Sequence, residues 1–214
     1  MRFYRLPFFV RWYLGNKAIT SFRHIPGTLY LTFDDGPHPE ITPKVLQLLR
    51  MFNVKATFFC VGSNIKKYPE VFNQILAEGH AVGNHGFDHI NALKTDQISY
   101  VENIFKADTL LNSPIFRPPY GQILRKQIKM LHPDIQVVLW SLLSWDFDKN
   151  LNPAECLSKT IKHTRSGDIV VFHDSEKAAD RMLYVLPAYL KHCIEKGYSF
   201  GVINSDLLKA SSKN

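Results

Sequence analysis

Several protein classes are excluded by what this chain has little of. It carries three cysteines in 214 residues, Cys60, Cys156 and Cys193, far apart and with no CxxC pair. That excludes a disulfide framework and a thiolate zinc site, and leaves each thiol to pack as a small hydrophobe. Long apolar runs are missing as well. The longest stretch free of Asp, Glu, Lys and Arg is the eleven residues Ile135–Trp145, well short of the roughly 20 that a membrane-spanning helix needs. No acidic residue precedes Asp34, so Arg2, Arg5, Arg11, Lys17 and Arg23 hold most of the formal net charge of +7. The remainder is nearly balanced and has no basic run interleaved with aromatics, which argues against nucleic-acid binding. With 45% hydrophobic, 13% aromatic and 21% charged residues, the composition suits one globular core rather than a disordered or fibrous chain.

What is present alternates. Short apolar or β-branched runs at Thr28–Phe33, Ala56–Val61, His80–Gly83, Ile135–Trp140, Asp168–Phe172 and Ser199–Ile203, with a short one ending at Phe116, read as strands. Between them, Thr42–Phe52, Pro69–Ala77, Thr95–Leu111, Pro153–Lys162 and Met182–Glu195 carry apolar residues at helical spacing. Thr42-Pro43 reads as a helix cap followed by Pro at the first helical position. This alternation predicts a parallel α/β protein. The chain is short for eight β/α units, so a barrel of seven units or one with irregular closure is expected. The polar clusters at the strand ends are then the place for chemistry.

Three segments follow from this division: 1–27, 28–205 and 206–214. The first, MRFYRLPFFVRWYLGNKAITSFRH and the residues that follow, is basic and aromatic. Arg11 interrupts its apolar run and no A-x-A site follows, so it does not read as a secretory signal. The expected location is cytoplasmic or associated with the inner membrane. Two readings of the segment stay open. It packs against the body, closing the barrel or forming a dimer contact. Or it lies at a lipid surface, with Phe8, Phe9, Trp12 and Tyr13 at the interface and arginines on anionic headgroups.

Chemistry-bearing residues sit after the strands. Thr32-Phe33-Asp34-Asp35-Gly36-Pro37 turns the chain directly after two acids, so both carboxylates can face the strand end from different angles. That suits one metal ligand beside one free base, although adjacent acids are common and a turn or cap explains them equally well. In Asn84-His85-Gly86-Phe87-Asp88-His89, the two histidines are four apart, as two ligands on one face of a helical turn would be. Asp35, His85 and His89 make a two-imidazole, one-carboxylate set with a coordination position left for water, and a divalent ion there lowers the water pKa and polarises a carbonyl. The base, acid and oxyanion donor that hydrolysis also needs are available in Arg117-Pro118-Pro119-Tyr120-Gly121, Trp145-Asp146-Phe147-Asp148 and Val171-Phe172-His173-Asp174. His38, beside the double-acid turn, is a further candidate for a groove wall. His24, His80, His132, His163 and His192 have no partner at ligand spacing and read as structural or surface residues.

These five motifs, in this order and spacing over residues 28–205, resemble those of the NodB-like polysaccharide deacetylases, the fourth carbohydrate esterase family. The resemblance implies a NodB homology domain, a distorted (β/α)7 barrel that removes acetyl groups from carbohydrates with one divalent metal ion: zinc first, with cobalt, nickel or manganese as alternatives. It implies Asp35, His85 and His89 as metal ligands and Asp34 as general base, with Arg117 holding Asp34. His173 would be the general acid supported by Asp146, and the Tyr120 backbone N–H an oxyanion donor. Tyr120, Trp145, Phe147 and Val171 would contact substrate. The fourth motif departs from the family's Asp-x-x-Asp-Trp, since Leu143 replaces the first acid and Phe147 the Trp; Val171 replaces the leucine of the fifth. Two rivals remain: an amidohydrolase of the same superfamily acting on a small non-sugar amide, and a non-catalytic carbohydrate-binding protein.

Overall fold

Strand-forming runs that are apolar on both faces need cover on both sides, and the topology supplies it. The computed structural model describes residues 2–211. In chain order the elements are α1 (Phe8–Leu14), β1 (Ala18–Ile19), β2 (Thr28–Asp34), α2 (Ile41–Met51), β3 (Thr57–Cys60), α3 (Gly62–Lys67), α4 (Pro69–Ala77), β4 (Ala81–Asn84) and α5 (Gln97–Leu111). There follow β5 (Ile115–Phe116), α6 (Arg125–Met130), β6 (Gln136–Val138), β7 (Leu142–Leu143), α7 (Pro153–His163), β8 (Ile169–His173), α8 (Ala179–Glu195), β9 (Ser199–Gly201) and α9 (Ser205–Ser211). Positions 212–214 of the C-terminal segment lie outside the described residues.

All pairings between these strands are parallel, in the order β1-β6-β5-β4-β3-β2-β8-β7, with β9 beside the start of β2. The central strand β2, TLYLTFD, is buried from Leu29 to Asp34, as a parallel strand covered by helices must be. One side of the core packs Phe33, Phe58 and Phe172 with Val45, Leu46 and Leu49 of α2 and Val185, Leu186 and Tyr189 of α8. Each such aliphatic side chain contributes about 1.5–3 kcal/mol when fully buried. Cys60, Cys156 and Cys193 are buried and free, packed as small apolar groups.

The sheet curls almost onto itself. β6 and β7 lie near its opposite margins, yet Val138 and Leu142 are four residues apart in the chain, a span of at most about 14 Å. The N-terminal segment crosses this seam. On one side Arg5 bridges Leu142 in antiparallel fashion, and the Leu143 N–H donates to the Tyr4 carbonyl (2.9 Å). On the other side β1 pairs with β6. Arg5 also donates to the buried Asp168 carboxylate at 2.5 Å, Arg2 to Asp148 at 2.6 Å, and the Tyr4 ring stacks on His163 at 5.1 Å. The result is a distorted α/β barrel.

Register aligns the strand ends that matter. Asp34 pairs with Phe59 and His173, Cys60 with Asn84, and Asn84 with Phe116. The chain therefore leaves the sheet at the same end for Asp35, His85, Arg117 and Asp174.

Candidate active site

The double-acid turn is held from every side. β2 ends at Asp34, and Asp35 takes a left-handed backbone (φ 80°). Its carbonyl accepts from Asn64 Nδ2 (2.8 Å), and the Gly36 carbonyl accepts from the Val61 N–H (2.8 Å). The Gly36 N–H donates to Asp174 Oδ1 (3.1 Å), while Asp174 Oδ2 accepts from the Thr42 hydroxyl (2.5 Å). A Cβ at position 36 would lie 2.1 Å from the Asp174 carboxylate, so only glycine fits. Thr42 is thus not the helix cap its sequence suggested. α2 already begins at Ile41, and the hydroxyl is committed to Asp174 instead. The left-handed step at Asp35 sends the two neighbouring carboxylates to different partners.

Asp35 meets the histidines. Its Oδ1 is 3.7 Å from His85 Nε2 and 3.2 Å from His89 Nε2, and one donor atom from each of the three residues falls within 4.8 Å of the others. The expected helical turn is not what joins the two imidazoles. After β4 the chain runs as a loop, with Gly86 at φ 77° and His89 at φ 52°. Asn84 Oδ1 accepts from the Gly86 N–H, and Asn103 Oδ1 accepts from the N–H groups of Phe87 and Asp88. These side-chain acceptors replace the backbone bonds a helix would have made. His85 Nδ1 lies 2.7 Å from the Arg117 carbonyl, which takes the Nδ1–H tautomer and leaves the Nε2 lone pair facing Asp35. Two inward imidazole nitrogens and one carboxylate oxygen, with one imidazole oriented from behind, fit a divalent cation. Burial raises the Asp35 carboxyl, but the neighbouring His85 and His89 and the charge of His173 outweigh it and hold Asp35 well below the usual carboxylate range.

Asp34 faces the opposite way, toward Arg117. This arginine is wholly buried and makes four hydrogen bonds: Nη1 donates to Asp34 Oδ1 (2.6 Å) and Thr32 Oγ1 (2.7 Å), Nε to the Val138 carbonyl (3.2 Å) and Nη2 to the Leu139 carbonyl (3.0 Å). The guanidinium also stacks 3.9 Å over the Phe59 ring. A second pair stands at the end of β8. His173 Nδ1 is 2.7 Å from Asp146 Oδ1, and the His173 N–H donates to Asp146 Oδ2 at 2.8 Å. Burial by itself lowers the His173 pKa, but the charge and hydrogen bond of Asp146, with Asp35 and Asp34 beyond, push it up to about 9.

These groups open on one cleft of about 570 Å³ lined by Asp34, Asp35, His85, His89 and His173. Tyr120, Trp145, Phe147 and Val171 line it too, together with Leu143, the residue in place of the family's first acid. Phe147 packs edge-on against His173 at 4.9 Å, and Tyr120 edge-on against His89 at 4.8 Å. A larger groove, about 870 Å³, lies along residues 11–24 and contains none of the reacting groups. Backbone strain concentrates in the cleft: among the described non-glycine residues with positive φ, Asp35, His89, Tyr120 and Trp145 line it, and only Asn53 and Asn112 do not. Left-handed backbone at bulky residues persists only where surroundings over-determine it, most often at functional sites.

His38 does not join the cleft. Its Nδ1 accepts from the N–H groups of Glu40 and Ile41, closing the start of α2. Residues the sequence did not place in the site do contribute: Asp174, Thr42 and Asn64 set the turn, Thr32 helps hold Arg117, and Asn103 holds the histidine loop. The available signals were the acid directly after His173 and the glycine directly after the double acid, but neither says that the two touch.

A family model described as polysaccharide deacetylase matches residues 23–132. A peptidoglycan-N-acetylglucosamine deacetylase of Bacillus cereus is 38% identical over 152 residues, covering 68% of this chain and 55% of the relative. A second protein of that description and organism is 34% identical over 189 residues, covering 84% and 87%. The crystal structure of the peptidoglycan N-acetylglucosamine deacetylase Bc1960, in complex with an N-oxidanyl-benzamide, matches with a TM-score of 0.85 at 30% identity, covering 92% of this chain and 95% of that one. This chain therefore spans about half the length of the first relative and most of the second. With just over half of its residues matched by the family model and about a third identical to relatives across most of its length, this chain belongs to the polysaccharide deacetylase family.

Proposed function

We propose that this chain is a metal-dependent N-deacetylase acting on an acetylated carbohydrate, with N-acetylglucosamine units of peptidoglycan-like or chitin-like glycans as the substrate class. The observation that carries the reading is the division of labour between adjacent carboxylates: Asp35 on the two histidines, Asp34 on Arg117. Asp35, His85 and His89 would hold the cation, and zinc suits two imidazoles and a carboxylate, with cobalt, nickel or manganese able to use the same donors. When bound, such a cation polarises the acetamide carbonyl and acidifies a water molecule.

The remaining chemistry belongs to the protein. Asp34, fixed in direction by Arg117, takes the proton of the attacking water. The backbone N–H of Tyr120, in its left-handed turn, donates to the oxygen that gains charge. His173, kept as imidazolium by Asp146, returns a proton to the departing amine, so acetate and a free amino sugar leave. Leu143, Trp145, Phe147 and Val171 enclose the acetyl methyl, and the Tyr120 ring, 60% exposed, offers a face to a pyranose. An O-acetyl ester would be cut by the same groups. The aromatic lining supports a sugar over a small non-sugar amide, and the presence of ligands, base and acid together supports catalysis over mere binding.

The test is acetate release from acetylated chitooligosaccharides, peptidoglycan and xylan with several metals. Asp34→Asn lowers turnover about 10²–10⁴-fold while elemental analysis finds the metal retained. His85→Ala lowers metal content. Wild-type release by the first variant, or an unchanged metal stoichiometry in the second, removes that residue from its role.

A further inference from the structure

The segment that crosses the seam has two unlike faces. Phe3, Leu6, Pro7 and Val10 form part of the cleft wall, and Leu14 is buried. Val10 and Leu14 are one helical turn apart and point inward together. Phe8 and Trp12 share the same spacing a half-turn away, and are 83% and 80% exposed. Phe9 is exposed beside them. Arg11 is exposed and, three residues after Phe8, flanks it at the edge of this outer face. Arg2 and Arg5 are consumed in pinning the segment to Asp148 and Asp168. Arg11, Lys17 and Arg23 are exposed and have no ion-pair partner among the described residues.

We propose that the outer face of α1 docks the enzyme on an anionic lipid bilayer. Phenylalanine rings with no polar edge, flanked by arginine and with no acid in the preceding or following turn, complement a headgroup layer in which rings sink below the phosphates and guanidinium groups meet them. A neutral glycan would leave the arginine without a partner, and a second copy of this basic segment would be repelled by it. The helix is already folded and pinned, so binding incurs little ordering cost. Among the described residues no helix is long and apolar enough to cross a membrane, and the contact is peripheral. Docked in this way, the cleft opens beside the headgroups and receives glycan held near the bilayer. That last step rests on the deacetylase reading; the docking does not.

Flotation of the full chain with phosphatidylcholine vesicles, with and without phosphatidylglycerol, tests it. The chain floats with the anionic vesicles and less at high salt. Phe8→Ser with Trp12→Ser lowers partitioning at least about tenfold, and Arg11→Glu at least about fivefold. None of these positions lines the cleft, so each variant deacetylates a soluble oligosaccharide at the wild-type rate. Absence of flotation, equal binding to neutral vesicles, or a solution dimer that Phe8→Ser with Trp12→Ser dissociates would each overturn the docking. A wild-type chain that floats but releases no acetate would instead overturn the reading of the reaction.

Discussion

Two carboxylate–cation pairs reach the cleft, one through Asp34 and the other through His173, and they are built for opposite ends. In Asp34–Arg117 the cation is immobile. Four acceptors and an aromatic face hold it, and it cannot give up its proton in a protein, so Asp34 is free to gain one. In Asp146–His173 the carboxylate is the fixed member, wholly buried and spanning the His173 ring and backbone N–H, so the imidazole is the group that exchanges a proton. In the proposed reaction the same attraction serves a base in one case and an acid in the other. The difference lies in which partner the surrounding hydrogen bonds immobilise.

Arg117→Ala breaks the first pair with the largest effect. It removes the largest fully buried side chain among the described residues and takes the guanidinium donors from the Asp34 carboxylate and two carbonyls. Losing one member of a buried pair costs about 3–5 kcal/mol, read as a lower denaturation midpoint together with collapse of turnover. Arg117→Lys keeps the charge but not the fork, so it recovers stability only in part. If Arg117→Ala unfolds with the wild-type midpoint, the immobile-cation account is wrong.

Asp146→Asn acts on the second pair and changes a pH profile more than a fold. The acid must hold its proton, so activity falls as pH rises through the His173 pKa, about 9. Replacing the carboxylate removes the strongest influence that raises it, and the alkaline limb of kcat moves to lower pH. An unmoved limb would assign that limb to some other group.

The strand-end motifs were readable because each is local: Asp34 and Asp35, His85 and His89, Arg117 and His173 lie at or just beyond strand ends that apolar runs announce. What was hidden depends on long-range contact. β1 and β7 have two residues each, too few for any period, and α3 and α6 have six. The docking of Tyr4 on His163 and of Arg5 on Asp168 spans about three-quarters of the chain, so no window of sequence contains it. The histidine loop imitates helical spacing because i and i+4 also meet across a turn that Asn103 closes from another helix.

Asp174 links the two pairs, and it gives the smallest effect and the sharpest comparison. It follows His173 and holds the turn after Asp34, the proposed acid and base, and its own N–H donates to the Asp34 carbonyl at 3.1 Å. Burial, with the charge of Asp35 adding to it, pushes its pKa up to about 7, although the hydrogen bonds from Thr42 and the backbone oppose this. Between the unfolded carboxyl value near 4 and about 7, the folded state therefore binds more protons than the unfolded chain. The contribution of Asp174 to stability consequently declines as pH rises across that window. Asp174→Asn keeps an oxygen for the Gly36 N–H and turns its amide to the Thr42 hydroxyl, which can accept. Turnover then drops by less than about tenfold, within the net value of a hydrogen bond, and the fall of melting temperature between pH 4 and 7 becomes shallower. Asp174→Leu releases the turn, and activity falls with it. If Asn at this position lowers activity as far as Leu does, the carboxylate takes part in proton transfer itself, and the division into two pairs must become a network of three acids.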